Sequence, residues 1–277
     1  MNIDQIIIEA IDEDVGSGDY SSLSTIPANS KNKAKLVIKE AGILSGISIA
    51  EKVFAAVDST LKFTRLIEDG AKIEVGDIAF RVEGSAISIL TAERLALNFM
   101  QRMSGIATST NKMVKILEGT KSKILDTRKT TPLLRELEKM AVRHGGGFNH
   151  RFALYDMIMI KDNHIDFAGG IPKAIDSCNK YLLENKLDLK IEIEVRDFEE
   201  LQQVINHGGV DRVMLDNYTP AELSKALDLI DNRFETEASG GITENTIRSY
   251  AETGVDYISV GALTHQIKSL DMSLVSD

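Results

Sequence analysis

The chain has 277 residues and a formal net charge of −10, with 42 Asp+Glu against 32 Lys+Arg; 43% of it is hydrophobic and 27% charged. That is enough for one large domain or two modest ones, and the acidic excess excludes general affinity for nucleic acid, which needs a basic face. No apolar run reaches membrane-spanning length, the acidic start "MNIDQIIIEAIDEDV" lacks a basic leader region, and the one cysteine, Cys178, excludes internal disulfides, so a cytoplasmic protein with no membrane partner is expected.

In chain order, "NIDQIIIEAIDEDV" reads as a short amphipathic helix with Ile3, Ile6, Ile7 and Ile11 on one face. "KAKLVIKEAGILSG", "LKFTRLI" and "GDIAFRVEGSAISIL" follow, separated by Gly, Asp and Ser; their partial alternation predicts an antiparallel sheet. Residues 91–118 read as one long helix or two abutting ones, with Thr91 as N-cap, an apolar stripe from Leu95, Leu97, Phe99 and Met100, and Gly105 as a kink.

From residue 121 the pattern becomes regular. Candidate strands are "KILDT" (123–127), "MIMIK" (157–161), "LKIEIEV" (189–195), "RVMLD" (212–216), "FETEAS" (234–239) and "YISVGAL" (257–263), with helical stretches between them. Strands alternating with helices imply parallel pairing through right-handed crossovers. Six such units fit in about 145 residues, well short of the roughly 250 of an eight-unit barrel. The expected class is therefore α/β, as a barrel with fewer than eight strands or an open parallel sheet. The barrel is preferred because polar residues recur at so many strand ends.

In parallel α/β folds the ligand site lies at the carboxyl ends of the strands. Those ends read Asp126, Thr127, Arg128 and Lys129; Lys161, Asp162, Asn163 and His164; Glu192 and Glu194; Asp216 and Asn217; Glu237, Ser239, Gly240 and Gly241; and Gly261, with His265 just after. "GGGFNHR" (145–151) adds Asn149, His150 and Arg151. Residues 121–164 carry nine Lys/Arg and five Asp/Glu, a local surplus of cations in an acidic chain. Such cations meet an anionic substrate, and Arg fits carboxylate or phosphate in a bidentate way. Glu194 and Asp216 offer oxygen ligands suited to Mg²⁺ held beside substrate phosphates. The small residues of "SGGI" and "VGA" can cradle a phosphate through backbone N–H groups. Taken singly, each feature has a plainer reading. A strand-end Lys is commonly a solvated loop residue, "GGG" is a turn or helix end, His144 and His207 are helix-end caps, and Cys178 sits in a helix with no basic partner. His150, His164 and His265 have no zinc spacing. The conjunction across six consecutive strand ends points to an enzyme acting on a small, multiply anionic, phosphorylated substrate.

"LDTRKTTP", "EKMAVRHGGGFNHR", "MIMIKDNH", "IEIEV", "VMLDN" and "EASGGI", with "EDVGSGDYSS", "AGILSG" and "AERLALNFMQRMSGIAT" upstream, resemble the quinolinate phosphoribosyltransferase family from about residue 9 to 265. Two departures are Ser21, where the family usually has Thr, and Leu133, where many members have Gly; neither removes a charge. The resemblance implies an N-terminal α/β sandwich-like domain with a linking helix (1–108) and an irregular α/β barrel (109–265). It leaves open whether 266–277 rejoin the first domain. It implies transfer of phosphoribosyl from phosphoribosyl pyrophosphate to quinolinate with decarboxylation, a step of NAD biosynthesis requiring Mg²⁺. By the same resemblance, Arg128, His150, Arg151 and Lys161 form the quinolinate carboxylate pocket, with Thr127 beside them, and Lys129 lies between the two substrates. Glu194 and Asp216 serve the metal and ribose, and Ser239, Gly240, Gly261 and His265 the phosphate. Arg94 is inserted from a neighbouring subunit, implying a homodimer or larger assembly. A paralogue associated with molybdenum transport and acting on another anion, and a non-catalytic binder of a phosphoribosyl metabolite, are the alternative readings. Intact "NHR" and "IKDNH" favour quinolinate.

Overall fold

The computed structural model describes residues 2–277. The chain opens with α1 (Ile3–Val15) and α2 (Tyr20–Thr25), then β1 (Lys31–Ile38), β2 (Gly42–Ile43), α3 (Ile47–Val57), β3 (Lys62–Arg65), β4 (Lys72–Ile73), β5 (Ile78–Ser85) and the long helix α4 (Ala86–Ile116). β6 (Lys123–Leu125), α5 (Arg135–His144), β7 (Ile158–Ile160), α6 (Asp162–Ala168), α7 (Ile171–Asn185), β8 (Ile191–Val195), α8 (Phe198–His207), β9 (Arg212–Asp216) and α9 (Pro220–Ile230) follow. β10 (Glu235–Ser239), α10 (Ile247–Ala251), β11 (Tyr257–Ser259), α11 (Ala262–His265) and β12 (Met272–Ser276) complete it. No helix among the described residues is long and apolar enough to cross a membrane.

Two compact units result: one takes the chain up to Lys112 with Thr130–Gly147 and Leu263–Asp277, the other Met113–Lys129 with Phe148–Ala262. In the first, an antiparallel sheet of order β12-β1-β5-β3 forms, as the alternating strands predict. Its apolar face meets α3 through Phe54, Phe63 and Phe80, whose rings lie 4.4–5.7 Å apart. Such aromatic pairs add about 0.5–1.5 kcal/mol each beyond area burial.

The helix expected at 91–118 starts earlier, at Ala86, and is unbroken. Thr91 is therefore no N-cap. Its hydroxyl donates to the Ile87 carbonyl at 2.9 Å, which satisfies the group inside the helix. Gly105 does not kink the helix either. A Cβ there would lie 2.3 Å from the Lys268 carbonyl oxygen, so the glycine admits the returning chain.

By sequence alone Thr131–Pro132 has the form of an N-cap followed by proline at the first helical position, but the pair forms a turn instead, and α5 begins only at Arg135. Leu134 N–H donates to Thr131 O at 3.1 Å, with Pro132 and Leu133 at the corners and Leu133 at φ 68°. Proline followed by positive φ is the pattern of a type II turn, where the second corner favours glycine. Leu133 is 68% exposed, so it gives up little burial to sit there. Leu133→Gly is expected to raise stability by about 0.5–1 kcal/mol: relief of roughly 1–2 kcal/mol of left-handed strain outweighs the backbone entropy of glycine. Urea unfolding checks it.

In the second unit six parallel strands run in the order β6-β11-β10-β9-β8-β7, which is fewer than eight, as expected. Their cores match the predicted runs, with ends trimmed by up to four residues; "VGAL" leaves the last strand, and its Ala262 and Leu263 enter α11. Alternation assigns the faces. Ile193, Val195, Val213, Leu215, Ala238 and Ile258 are buried, while the alternate face carries the polar groups. Register then stacks those polar groups in layers: Glu192 pairs with Arg212 and Glu194 with Met214, and on the next strand Met214 pairs with Glu237 and Asp216 with Ser239.

Candidate functional site

A cavity of about 350 Å³ opens at the carboxyl ends of these strands. It is lined by Thr127, Arg128 and Lys129 after β6, by His150 and Arg151, and by Lys161 after β7. Glu194, Asp216 and Ser239 line it from the ends of β8, β9 and β10. Gly240 follows Ser239 directly and Gly261 lies two residues beyond β11. Arg94, exposed on α4, and His265, in α11, belong to the other unit.

The "NHR" segment is held by Asp126, a fully buried carboxylate. It accepts from Asn149 Nδ2 at 2.5 Å and from the His150 backbone N–H at 2.8 Å, while its own N–H donates to Phe148 O at 3.1 Å. The segment that follows β6 thus orients His150 and Arg151 through Asp126 and carries Arg128 two residues on. Asp126 was legible only as a strand-end acid; its partners became visible when the fold brought residue 149 to it. Asp126→Ala would leave buried amide donors without an acceptor. A stability loss of about 2–3 kcal/mol and a larger proportional loss of activity are expected, read from melting curves and steady-state rates.

The two guanidinium groups oppose each other. Burial, and then the Arg128 charge, lower the Arg151 pKa from its ordinary value. Arg151 Nη1 donates to Met157 O at 3.1 Å, but Arg128 Nε is buried with no hydrogen-bond partner. A buried donor on a cation costs free energy unless an acceptor arrives. Lys129 N–H donates to Thr127 Oγ1 at 3.1 Å, which turns the chain at this rim. The Lys161 ammonium pairs with Glu194 across adjacent strands. His164 caps α6, its Nδ1 accepting from Lys161 N–H at 2.9 Å, which answers for a histidine that has no metal spacing. His144 and His207 are the last residues of α5 and α8, as expected, but their rings bond other segments instead of capping the helix: His144 bonds Ser45 Oγ at 2.8 Å and His207 bonds Asp176 at 2.9 Å.

Below the cavity mouth lies a buried charge cluster. His150 Nε2 is 2.9 Å from Glu192 and 3.4 Å from Glu237. Arg212 donates to Glu237 at 3.1 Å and to Glu235 at 3.0 Å, with its guanidinium 4.2 Å from the Tyr257 ring centroid. Burial works against the charged imidazole, but Glu192 and Glu237 outweigh it and raise His150 from 6.5 to about 9. Burial, then Glu237, pushes Glu192 up from 4.5 to about 7. Glu237 is lowered despite its burial, by His150, Ser259 and Arg212. His150, Glu192 and Glu237 stand close enough to grip a cation. With Arg212 beside them, however, two positive and two negative groups already balance when His150 is protonated. The strand sequence "IEIEV" places both glutamates on one face but cannot show that this face is interior.

Chemically, the cavity presents the cations Arg128, Lys129, Arg151 and Lys161 together with two half-buried carboxylates, Glu194 and Asp216, the first of them paired with Lys161. It suits a dianion beside a phosphorylated, hydroxyl-rich partner.

Comparison with known proteins agrees with this arrangement. Residues 19–104 match the N-terminal domain, and residues 106–275 the C-terminal domain, of quinolinate phosphoribosyl transferase. The chain is 46% identical over 287 residues to quinolinate phosphoribosyltransferase [decarboxylating] 1b of Nicotiana tabacum, covering 98% of this chain and 81% of that protein. It is 43% identical over 262 residues to the probable nicotinate-nucleotide pyrophosphorylase [carboxylating] of Bacillus subtilis, covering 95% and 89%. The crystal structure of NadC from Streptococcus pyogenes superposes with a TM-score of 0.94 at 41% identity, covering 99% and 97% of the two chains. Two domain matches that together span nearly the whole chain, and close relatives along its full length, establish that this chain belongs to the quinolinate phosphoribosyl transferase family.

Proposed function

We propose that this chain transfers the phosphoribosyl group of phosphoribosyl pyrophosphate to quinolinate and decarboxylates the product, giving nicotinate mononucleotide, pyrophosphate and CO₂ for NAD biosynthesis. The observation that carries the reading is the pair Arg128 and Arg151, two mutually repelling guanidinium groups lining one cavity, one with a buried donor left without an acceptor. A dicarboxylate relieves both penalties at once.

In this reading Arg128, Arg151, Lys161 and His150 hold the two carboxylates and fix the pyridine nitrogen toward the ribose. The nitrogen attacks the anomeric carbon, and the bond to pyrophosphate breaks with its electron pair leaving on oxygen. Lys129 neutralises charge between the substrates, while Glu194 and Asp216 face the ribose as positive charge develops there. The ring nitrogen, now cationic, accepts the electrons released when the adjacent carboxylate leaves as CO₂, and a proton takes its place on carbon. Thr127, Ser239, Gly240, Gly261 and His265 complete the substrate contacts.

Glu194 and Asp216 are hard oxygen donors at neighbouring strand ends, a donor set that fits Mg²⁺. The ion would bind there and stabilise the departing pyrophosphate charge. A single, half-buried Cys178 suits a reducing, cytoplasmic compartment. Arg94 is read as reaching a neighbouring subunit's site in a homodimer. Mixing the impaired Arg94→Ala and Arg128→Ala proteins is expected to raise activity above that of either alone, because mixed dimers assemble one intact site.

Incubation with quinolinate, phosphoribosyl pyrophosphate and Mg²⁺ tests the activity. Nicotinate mononucleotide should form with pyrophosphate and CO₂ in equal amounts; tight quinolinate binding without turnover would overturn it.

A further inference from the structure

β9 ends on Asp216, and the next residue breaks the strand in an unusual way. Asn217 adopts φ 60°, a left-handed conformation that asparagine tolerates better than most residues. Its backbone N–H still donates to Ser239 O at 2.9 Å, so the parallel pairing of Asp216 with Ser239 is extended by one bond. The side chain reaches the carboxylate of the preceding residue. Nδ2 then donates to Asp216 Oδ2 at 2.6 Å. The carboxylate only accepts, so the amide nitrogen must face it and Oδ1 must face away. Oδ1 lies over the neighbouring strand end, where a Cβ on Gly240 would stand 2.2 Å from it. Gly240 itself has φ 97°. One amide thus touches the Asp216 carboxylate on one side and fills the space above the Ser239–Gly240 turn on the other.

We propose that Asn217 is a positioning residue that locks the Asp216 carboxylate against the Ser239–Gly240 turn, so that the ribose and phosphate contacts of the phosphoribosyl donor are held in one fixed geometry. This rests on the reading of Asp216 and Ser239–Gly240 as contacts to that substrate. The physical argument is preorganisation: a carboxylate already oriented by a charge-assisted bond loses less freedom when it engages a hydroxyl or metal. Asparagine is suited to this post because a left-handed backbone and a short amide donor are both required. Glycine supplies only the first. Aspartate at this post would set a second carboxylate against Asp216 in place of the donor.

Asn217→Gly separates the two requirements, since it keeps the backbone conformation and removes only the amide. The expected result is a fall of about ten-fold in kcat/KM for phosphoribosyl pyrophosphate, with KM for quinolinate within about two-fold of wild type and a melting temperature within about 2 °C. Asp216→Ala is measured alongside and should lose more. Wild-type kcat/KM for phosphoribosyl pyrophosphate in Asn217→Gly, with Asp216→Ala impaired, would overturn the positioning role alone. Wild-type kinetics in Asp216→Ala would overturn the reading of Asp216 and the positioning role with it. An equal loss toward both substrates that tracks a lowered melting temperature would mark Asn217 as merely structural and also overturn it.

Discussion

Arg128→Ala is expected to lower kcat/KM for quinolinate roughly 10- to 100-fold while KM for phosphoribosyl pyrophosphate changes little. Removing a charged hydrogen-bond partner of a carboxylate costs about 1.5–3 kcal/mol. The same substitution should leave the melting temperature unchanged or raise it. Without a substrate the two arginines repel each other, and the Arg128 charge is among the causes that lower the Arg151 pKa. Activity and stability therefore move in opposite directions, as is common where a site stores strain for its ligand. Arg128→Lys should recover only part of the loss, because an ammonium cannot form the two-pronged contact of a guanidinium. Steady-state kinetics with each substrate varied, paired with thermal melts, decide it. An unchanged quinolinate KM, or a melting temperature that falls in step with activity, would remove Arg128 from the carboxylate pocket.

Arg212→Met should be the most damaging substitution for stability. It leaves Glu192 and Glu237, both fully buried, with only His150 to balance them. Breaking a buried ion pair by removing one partner typically costs about 3–5 kcal/mol, which urea unfolding would detect. The cluster also sets a pH dependence. His150 is raised from 6.5 to about 9, so the folded state holds that proton more tightly than the unfolded state. Its contribution is complete below pH 6.5 and is lost as pH rises through about 9. Glu192, raised from 4.5 to about 7, acts with the same sign at lower pH: its contribution is lost as pH rises from 4.5 through about 7. Unfolding free energy from this cluster should therefore decline from mildly acidic to alkaline pH. His150→Asn should flatten the part between pH 6.5 and 9. A wild-type protein whose stability rises across that interval would contradict the assignment of the proton to His150. Quinolinate affinity is expected to weaken over the same interval, because the pocket loses a positive charge.

By itself the sequence determined the architecture of the catalytic unit. Short strands alternating with helices, with polar or glycine residues at the strand ends, implied a parallel sheet with its site at the carboxyl ends. "RVMLD" agrees with β9 residue for residue, because a strongly apolar run bounded by acids leaves no competing register. The cavity's charged residues were legible for the same reason: charged residues are solvated unless something holds them, and here Arg128, Lys129 and Lys161 follow two strands while Glu194 and Asp216 close two others.

Boundaries fared worse wherever the chain turned on a contact distant in sequence. The helix start at Thr131–Pro132 is a standard cap signal, yet a turn formed instead. Thr131 N–H is held by buried Glu138 and Thr131 Oγ1 by Arg102, and Leu133 takes the left-handed corner. Nothing local announces that Arg102, far back on α4, will reach this turn. Thr91 misled similarly, because residues 86–90 carry no breaker and the helix simply ran on through it.

The interior charges are what only the tertiary structure decided. Alternation says that Glu192 and Glu194 share a face, but strands packed on both sides give no signal as to which face meets solvent. Glu192, Glu237, His150 and Arg212 come from four separate segments, and each alone would be costly to bury. They are tolerable only together, in a geometry where opposite charges lie about 3 Å apart, and that geometry exists only once the strands are side by side. Asn217 follows the same rule. Its type and place are visible in "VMLDN", but its hold on Asp216 depends on the turn of the neighbouring strand, which registers it from twenty-odd residues away.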